Sequence, residues 1–396
     1  MKVLHVAPAF YPATYWGGPT FSVHGLCRSL ARAGTELRVL TTDTAGPARR
    51  QRVPVESFPM MYEPGYEVYF CHRWFGVDIA PGLLLRLPWM IREADIVHLT
   101  SVYSFPTIPT LLACRLLGKP VVWSPRGALQ RWDGATRPRL KRFYDRVCDM
   151  LVVRKRSLLH VTSEREASES RIRISNLDVV VIPNGVDIPE MLSNRSWRPG
   201  GNLRLLFVGR LHPIKRLEVL LEACGGLLRE GRAVTLTIAG EGDAKYRSTL
   251  VSLAGKSMPT GSVRWLGPVE GEAKEEAFAG ADVLALPSES ENFGMVVAEA
   301  LARGVPVIAS RGTPWSELER QRCGFWVEST PEAFAAAIVA ASSMDLAEMG
   351  IRGRAWMEAE FTWERRAEEM EAVYVALLDG TFRAASREAR GGREAR

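Results

Sequence analysis

The sequence predicts an α/β fold built from two Rossmann-like halves in tandem, each a parallel sheet with helices on both faces. Three observations carry this reading. A chain of 396 residues is long enough for two domains of ordinary size. Short apolar, β-branched runs alternate with helical stretches, and they do so twice. Between the two alternations lies PNGVDIPEMLSNRSWRPGGN (183–202), an aperiodic stretch dense in proline, glycine and asparagine that reads as a linker.

The first alternation opens with VLHVA (3–7), an apolar-periodic segment from Pro19 to Ala33, and LRVLTT (37–42), with Ala33-Gly34 as a helix stop. DIVHL (95–99), PVVWS (120–124), LLHVT (158–162) and VVVIP (179–183) are its further strands. The second alternation has strands LRLLFVG (203–209), VTLTIAG (234–240), SVRWLG (262–267), DVLALP (282–287) and VPVIAS (305–310). Its helices start near Lys215, Ala244, Gly271 and Gly294. The expected organisation is therefore a first domain over 1–183, a linker over 184–202, a second domain over 203–361 and a charged amphipathic helix over 362–380. A basic tail over 381–396, with five arginines against two glutamates, reads as disordered.

Six cysteines lie far apart with no C-x-x-C pair, which predicts a reduced, cytoplasmic protein without a zinc site. The N-terminus lacks signal-peptide order, and no apolar run approaches the roughly 20 residues of a membrane span. A net charge of +6 points to acidic partners such as phosphates or anionic lipid. No nucleic-acid motif accompanies it, so a nucleic-acid partner is not expected.

The residues that carry chemistry sit where strands end. In PSESENFGMVVAEALARGVPVIAS (287–310), Glu291 falls on the loop after a strand and Glu299 about one turn into the next helix. Ligands of open α/β sheets bind at such carboxyl ends. Free amides around Gly294 to Val296 suit an anion, while two carboxylates beside it suit sugar and ribose hydroxyls. In FVGRLHPIKRLEVLLEA (207–223), Arg210 and Lys215 occupy another strand-to-helix turn, as a fork of donors and a compact charge suited to a diphosphate leaving group. In PAFYPATYWGGPT (8–20), Gly17-Gly18 lets an amide approach a charged group, with Pro19 in the first turn of a helix. G-x-G-x-x-G is absent there, which argues against a nicotinamide or flavin site.

Together WGGPT (16–20), SPRG (124–127), TSEREA (162–167), IPNGVD (182–187), the 208–223 and 281–310 segments and FTWERRA (361–367) resemble glycosyltransferase family 4, retaining nucleotide-sugar glycosyltransferases of GT-B fold. The resemblance covers about residues 1–380. It implies that Arg210 and Lys215 hold the donor diphosphate, that Glu291 contacts the transferred sugar, and that Glu299 contacts the ribose. It also implies that Gly18 offers its amide to the phosphates, that Gly267-Pro268-Val269 lies beside the base, and that the helix from Thr362 returns to the first domain. The full donor-binding set is Gly18, Val269, Asn292, Phe293, Gly294, Met295, Val296 and Glu299, with Glu291, Arg210 and Lys215 as the catalytic set.

The family's usual histidine-glycine step after the strand ending at Ser124 is replaced here by Arg126-Gly127. Arg126 has two readings, a ligand for a donor or acceptor phosphate or carboxylate, or a surface arginine. His98 also has two, an acceptor contact or a buried structural imidazole. No D-x-D motif is present, so neither a divalent ion nor any other cofactor is implied. The resemblance suggests front-face substitution with a UDP- or GDP-sugar as donor and a glycan, lipid-linked or small-molecule acceptor, in polysaccharide or lipopolysaccharide synthesis. A nucleotide-sugar epimerase or hydrolase, and a non-catalytic nucleotide-sugar-binding protein, are the alternatives. The basic segment 137–156, with Trp74, Phe75, Leu83 to Leu85 and Trp89, reads equally as an inner-membrane contact or as a solvated helix over ordinary core.

Overall fold

The computed structural model describes residues 1–46, 48, 50–74, 79–130, 138–175, 177–191, 195–198 and 201–382. Phe75, Arg137, positions 192–194 and 199–200 of the expected linker, and the tail from 383 onward lie outside the described residues. The chain divides into two compact units, residues 1–184 with the chain from Trp363 onward, and Gly185–Thr362.

The first unit runs β1 (Lys2–Val6), α1 (Gly18–Arg32), β2 (Glu36–Thr42), β3 (Met60–Tyr62), β4 (Tyr66–Cys71), α2 (Pro81–Glu93) and β5 (Ile96–Thr100). It continues with α3 (Thr107–Leu117), β6 (Val121–Ser124), α4 (Pro138–Leu151), β7 (Ser157–Val161), α5 (Glu164–Arg173) and β8 (Asp178–Val181). The sheet order is β3-β4-β2-β1-β5-β6-β7-β8, parallel except where β3 meets β4. Every residue of β5 and β7 is buried, as expected of strands covered on both faces, and their polar residues, His98 and Thr100 in β5 and Ser157 and His160 in β7, are buried with the rest. Right-handed crossovers place α1 on one face of the sheet and α2 to α5 on the other.

The second unit runs β9 (Leu203–Val208), α6 (Leu217–Arg229), β10 (Val234–Ala239), α7 (Ala244–Ser257), β11 (Val263–Gly267), α8 (Gly271–Ala279) and β12 (Val283–Leu286). It ends with α9 (Met295–Ala302), β13 (Val307–Ser310), β14 (Gly324–Val327), α10 (Pro331–Ser342) and α11 (Leu346–Glu360). Its sheet is wholly parallel in the order β11-β10-β9-β12-β13-β14, the doubly wound arrangement whose order reverses between β9 and β12. Residues read from the sequence as linker are counted here: Val186 is buried and its amide donates to the Phe361 carbonyl at 2.7 Å. The Arg198 amide likewise donates to the buried Asp282 at 3.1 Å.

The last described helix, α12 (Trp363–Leu378), closes the first unit by packing on α1. Gly25 makes room for it, since a Cβ at that position would lie 2.3 Å from the Trp363 ring. No single described helix is long and apolar enough to cross a membrane.

Candidate active site

In the second unit, the loops that follow the neighbouring strands β9 and β12 leave the sheet side by side at its reversal point. The loop after β9 carries Arg210, which is exposed, and Lys215, which ends a 3-10 turn over Pro213–Lys215. His212 caps that turn through Nδ1, which accepts the Ile214 amide at 3.2 Å. The bond requires an unprotonated ring nitrogen. Burial, aided by the Arg210 and Lys215 cations, lowers the His212 pKa and supplies it. Arg216 leaves the turn at φ +48°, a left-handed conformation that non-glycine residues adopt uncommonly.

Two contacts stitch this loop to the one after β12. The Glu289 amide donates to the Ile214 carbonyl at 2.8 Å, and the Lys215 ammonium pairs with Glu291 Oε1. The same carboxylate oxygen accepts from Ser288 Oγ at 2.8 Å, and the Glu291 amide donates to the Gly312 carbonyl at 2.9 Å. Gly312 is obligatory there, because a Cβ would sit 2.3 Å from the carbonyl oxygens of both Ser288 and Glu289. The site thus holds a cation and a carboxylate against each other, each mostly shielded, at 16% and 12% side-chain exposure.

Gly294, at φ +76°, then turns the chain into α9, whose amino end has no side-chain cap. The amides of Met295 and Val296 belong to this uncapped first turn, where the helix dipole favours an anion. Asn292, Gly294, Met295 and Val296 are all partly exposed. Phe293 differs. Its ring is buried against Trp315, with centroids 5.1 Å apart, and its carbonyl accepts Trp315 Nε1 at 2.6 Å. Its side chain therefore braces the loop from the core side, so that only the backbone of Phe293 faces the other members of the expected binding set. Glu299 lies on α9 and accepts from Lys274 of α8 at 2.8 Å. Val269, partly buried, sits between β11 and α8.

The first unit places its own candidates around β1, β5 and β6. Gly18 is the first residue of α1, preceded by Gly17 at φ +67° and again without a side-chain cap. His98 takes the structural role of its two readings. It is fully buried, its Nδ1 is 2.6 Å from the Tyr374 hydroxyl, and its Nε2 is 2.6 Å from Ser124 Oγ. With both nitrogens occupied, it has nothing to offer an acceptor. It belongs to a buried polar chain in which His160 Nδ1 meets the same Ser124 hydroxyl at 2.7 Å and His5 Nε2 meets Thr100 Oγ1 at 2.8 Å. The His5 and His98 rings stack across β1 and β5 with centroids 4.5 Å apart. Burial drives all three imidazoles far below their usual pKa, His5 and His160 to about 3.

Arg126 is not a surface arginine. It is partly buried at φ +54°, its Nη1 donates to Asn184 Oδ1 at 2.5 Å, and its buried Nε has no partner. Glu166 supports its charge from nearby, while accepting from the Gly127 amide at 2.5 Å and the Thr162 amide at 2.8 Å. Glu166 was missed as a site residue, although S-x-x-E at 163–166 is a legible capping signal. Ser288, His212, Lys274 and Gly312 were missed as well. The first three are ordinary polar residues whose neighbours only the fold reveals.

Among structures solved for other proteins, sucrose-phosphate synthase from Thermosynechococcus elongatus superposes with a TM-score of 0.74 at 20% identity. It covers 96% of this chain and 99% of its own. Anabaena HepE in complex with UDP and glucose superposes with a TM-score of 0.71 at 19% identity, covering 95% and 100%. The fold is that of the GT-B glycosyltransferases. A family model described as Glycosyltransferase Family 4 matches residues 16–190, and one described as Glycosyl transferases group 1 matches residues 202–343. The chain belongs to glycosyltransferase family 4, and its class of activity is glycosyl transfer. Full-length relatives include an uncharacterized glycosyltransferase of Methanocaldococcus jannaschii, 29% identical over 93% of this chain and 97% of that protein. A GDP-mannose-dependent alpha-mannosyltransferase of Mycolicibacterium smegmatis is 29% identical over 96% and 98%. A D-inositol 3-phosphate glycosyltransferase of Corynebacterium diphtheriae is 27% identical over 96% and 95%.

Proposed function

We propose that this enzyme transfers a hexose or N-acetylhexosamine from a UDP- or GDP-sugar, with retained configuration and without a metal ion. Its acceptor is a glycan, a lipid-linked glycan or a small molecule, in cytoplasmic steps of polysaccharide or lipopolysaccharide synthesis. The observation that carries the reading is the Lys215 and Glu291 pair at the reversal point of the second sheet, beside the uncapped amino end of α9. The relative that uses GDP-mannose and the HepE complex with UDP and glucose set the range of donors to test.

In this mechanism the donor diphosphate lies against Arg210, Lys215 and the α9 amides, and Glu291 faces the sugar. The bond between the anomeric carbon and the diphosphate oxygen breaks. The acceptor hydroxyl oxygen then bonds to the same face of that carbon, and the departing diphosphate takes the hydroxyl proton. Lys215, paired with Glu291 in the free protein, turns to the phosphate as negative charge builds there, and this differential contact lowers the barrier. Arg210, which donates no hydrogen bond among the described residues, needs no such exchange of partners.

The test is turnover of UDP- and GDP-sugars with and without acceptor, in excess EDTA. Sugar transfer that persists in EDTA and falls about 100-fold in Lys215→Ala supports the reading, since one transition-state charge partner is worth roughly 10²–10³ in rate. Abolition by EDTA with rescue by magnesium or manganese overturns the metal-free mechanism. Epimerised or hydrolysed donor as the sole product overturns the assignment of transfer.

A further inference from the structure

The outer face of α3 and α4 in the first unit departs from what a solvated helix pair should look like. Along α4, Leu140, Phe143 and Met150 lie at spacings of three and seven residues, hence on one side of the helix, and are 57%, 64% and 66% exposed. The opposite side is already satisfied, with Cys148 fully buried in the core. On α3, Leu112 and Leu116 repeat the pattern at 43% and 76% exposure. Both helices therefore turn apolar stripes outward.

Toward the carboxyl ends of the two helices lies an open hollow of about 550 Å³, where Arg115 of α3 meets Arg146 and Met150 of α4 and Arg154 and Lys155 of the turn that follows. Asp149 is the one carboxylate among its lining residues. Arg115 is fixed in place by donating to the Met150 carbonyl at 2.9 Å. Arg154 and Lys155 are exposed. The hollow lies toward the amino ends of β6 and β7, the end of the sheet opposite Ser101 and Arg126, so occupying it leaves the candidate acceptor end open.

We propose that this face is a docking surface for an anionic phospholipid bilayer, with a headgroup phosphate in the Arg115, Arg146, Arg154 and Lys155 hollow and the leucine and phenylalanine stripes in the acyl boundary. Charge complementarity selects the occupant. Four cations against one carboxylate require a negative surface, and the flanking Leu116 and Phe143 require that it also offer hydrocarbon, which nucleic acid does not. Of the sequence candidates for insertion, Leu83 is fully buried and takes no part, whereas Trp74, Leu84, Leu85 and Trp89 are exposed; the α3 leucines were not foreseen. The proposal does not depend on the donor chemistry of the second unit.

The test is co-sedimentation of the full chain with vesicles of phosphatidylcholine and phosphatidylglycerol in equal parts, against pure phosphatidylcholine, in 50 mM salt. Partition into the mixed vesicles should be at least about tenfold stronger. A cation near an anionic surface contributes about fivefold, so R146E/R154E/K155E should lose about a hundredfold. L116S/F143S should lose about tenfold, for partial withdrawal of two large side chains. Failure of the parent protein to sediment overturns the proposal, as does sedimentation unchanged in either variant. Should the triple variant lose its native melting transition, R154E/K155E is read in its place, since both side chains project from an exposed turn.

Discussion

Acidification from pH 7.5 to 5.5 should cost the first unit up to about 4 kcal/mol of stability, a figure set by His5, His98 and His160. Each imidazole is neutral in the fold, held far below its ordinary pKa by burial and by the nearby Arg126 charge. In the unfolded chain each titrates near pH 6.5. Below that pH the unfolded state binds protons that the folded state refuses until about pH 3, so stability falls as pH falls. Over this window one such histidine contributes about 1.4 kcal/mol, and three contribute about 4 kcal/mol. Glu166 and Asp145, whose pKa values are raised by burial, take up protons earlier in the folded state and work the other way. The share of one histidine is therefore read by difference. His160→Asn keeps a side-chain acceptor toward Ser124 but cannot ionise, so it should flatten the pH dependence by about 1.4 kcal/mol. Hydrogen exchange of peptides covering β1, β5 and β7 reports this unit separately from the second. A variant whose pH dependence equals that of the parent protein, or imidazole resonances of His5, His98 and His160 that titrate above pH 6, would refute the reasoning.

Glu299→Gln should weaken UDP or GDP binding and donor binding by similar factors, losing a charged hydrogen bond of roughly 1.5–3 kcal/mol, with calorimetry as the check. Glu291→Gln should cut turnover while leaving nucleotide affinity intact or raised, because Lys215 is freed from its partner; steady-state kinetics beside the same calorimetry separate the two. Gly312→Ala should lower the melting temperature of the second unit by the equivalent of about 1–3 kcal/mol, since its Cβ meets two backbone carbonyls that cannot swing aside. It should also depress turnover by displacing Glu291.

The strands that were legible in the sequence are those buried on both faces. LRLLFV and SLLHV announce themselves because apolar residues dominate them, with Arg204 in one and Ser157 and His160 in the other as the interruptions. β3 and β4 were not read, since MMYEPGYEVYFC mixes exposed and buried positions across a turn. β14 was not read either, being four residues of an edge strand that begins with glycine. At the site, Glu291 and Lys215 could be singled out from their places at strand ends, 76 residues apart, but their mutual ion pair could not. His98 shows the reverse difficulty. A histidine near a strand end beside the expected cleft looks available, and only the tertiary packing of Tyr374, 276 residues away, shows that its ring is spoken for.

That long-range bond, with Trp363 seated over Gly25, has a consequence for the order in which the protein is made. Gly185–Thr362 is one uninterrupted stretch, so its core can close as soon as it clears the ribosome. The first unit, though synthesised earlier, must wait for α12 with its indole and its phenol unfilled. Until then His98 Nδ1 faces an empty seat, and the place over Gly25 that Trp363 fills stays open. The nascent chain therefore carries an unfinished first half past a finished second one. A break in translation after Thr362 would strand it there, with one sound unit and one that a chaperone or protease could still enter.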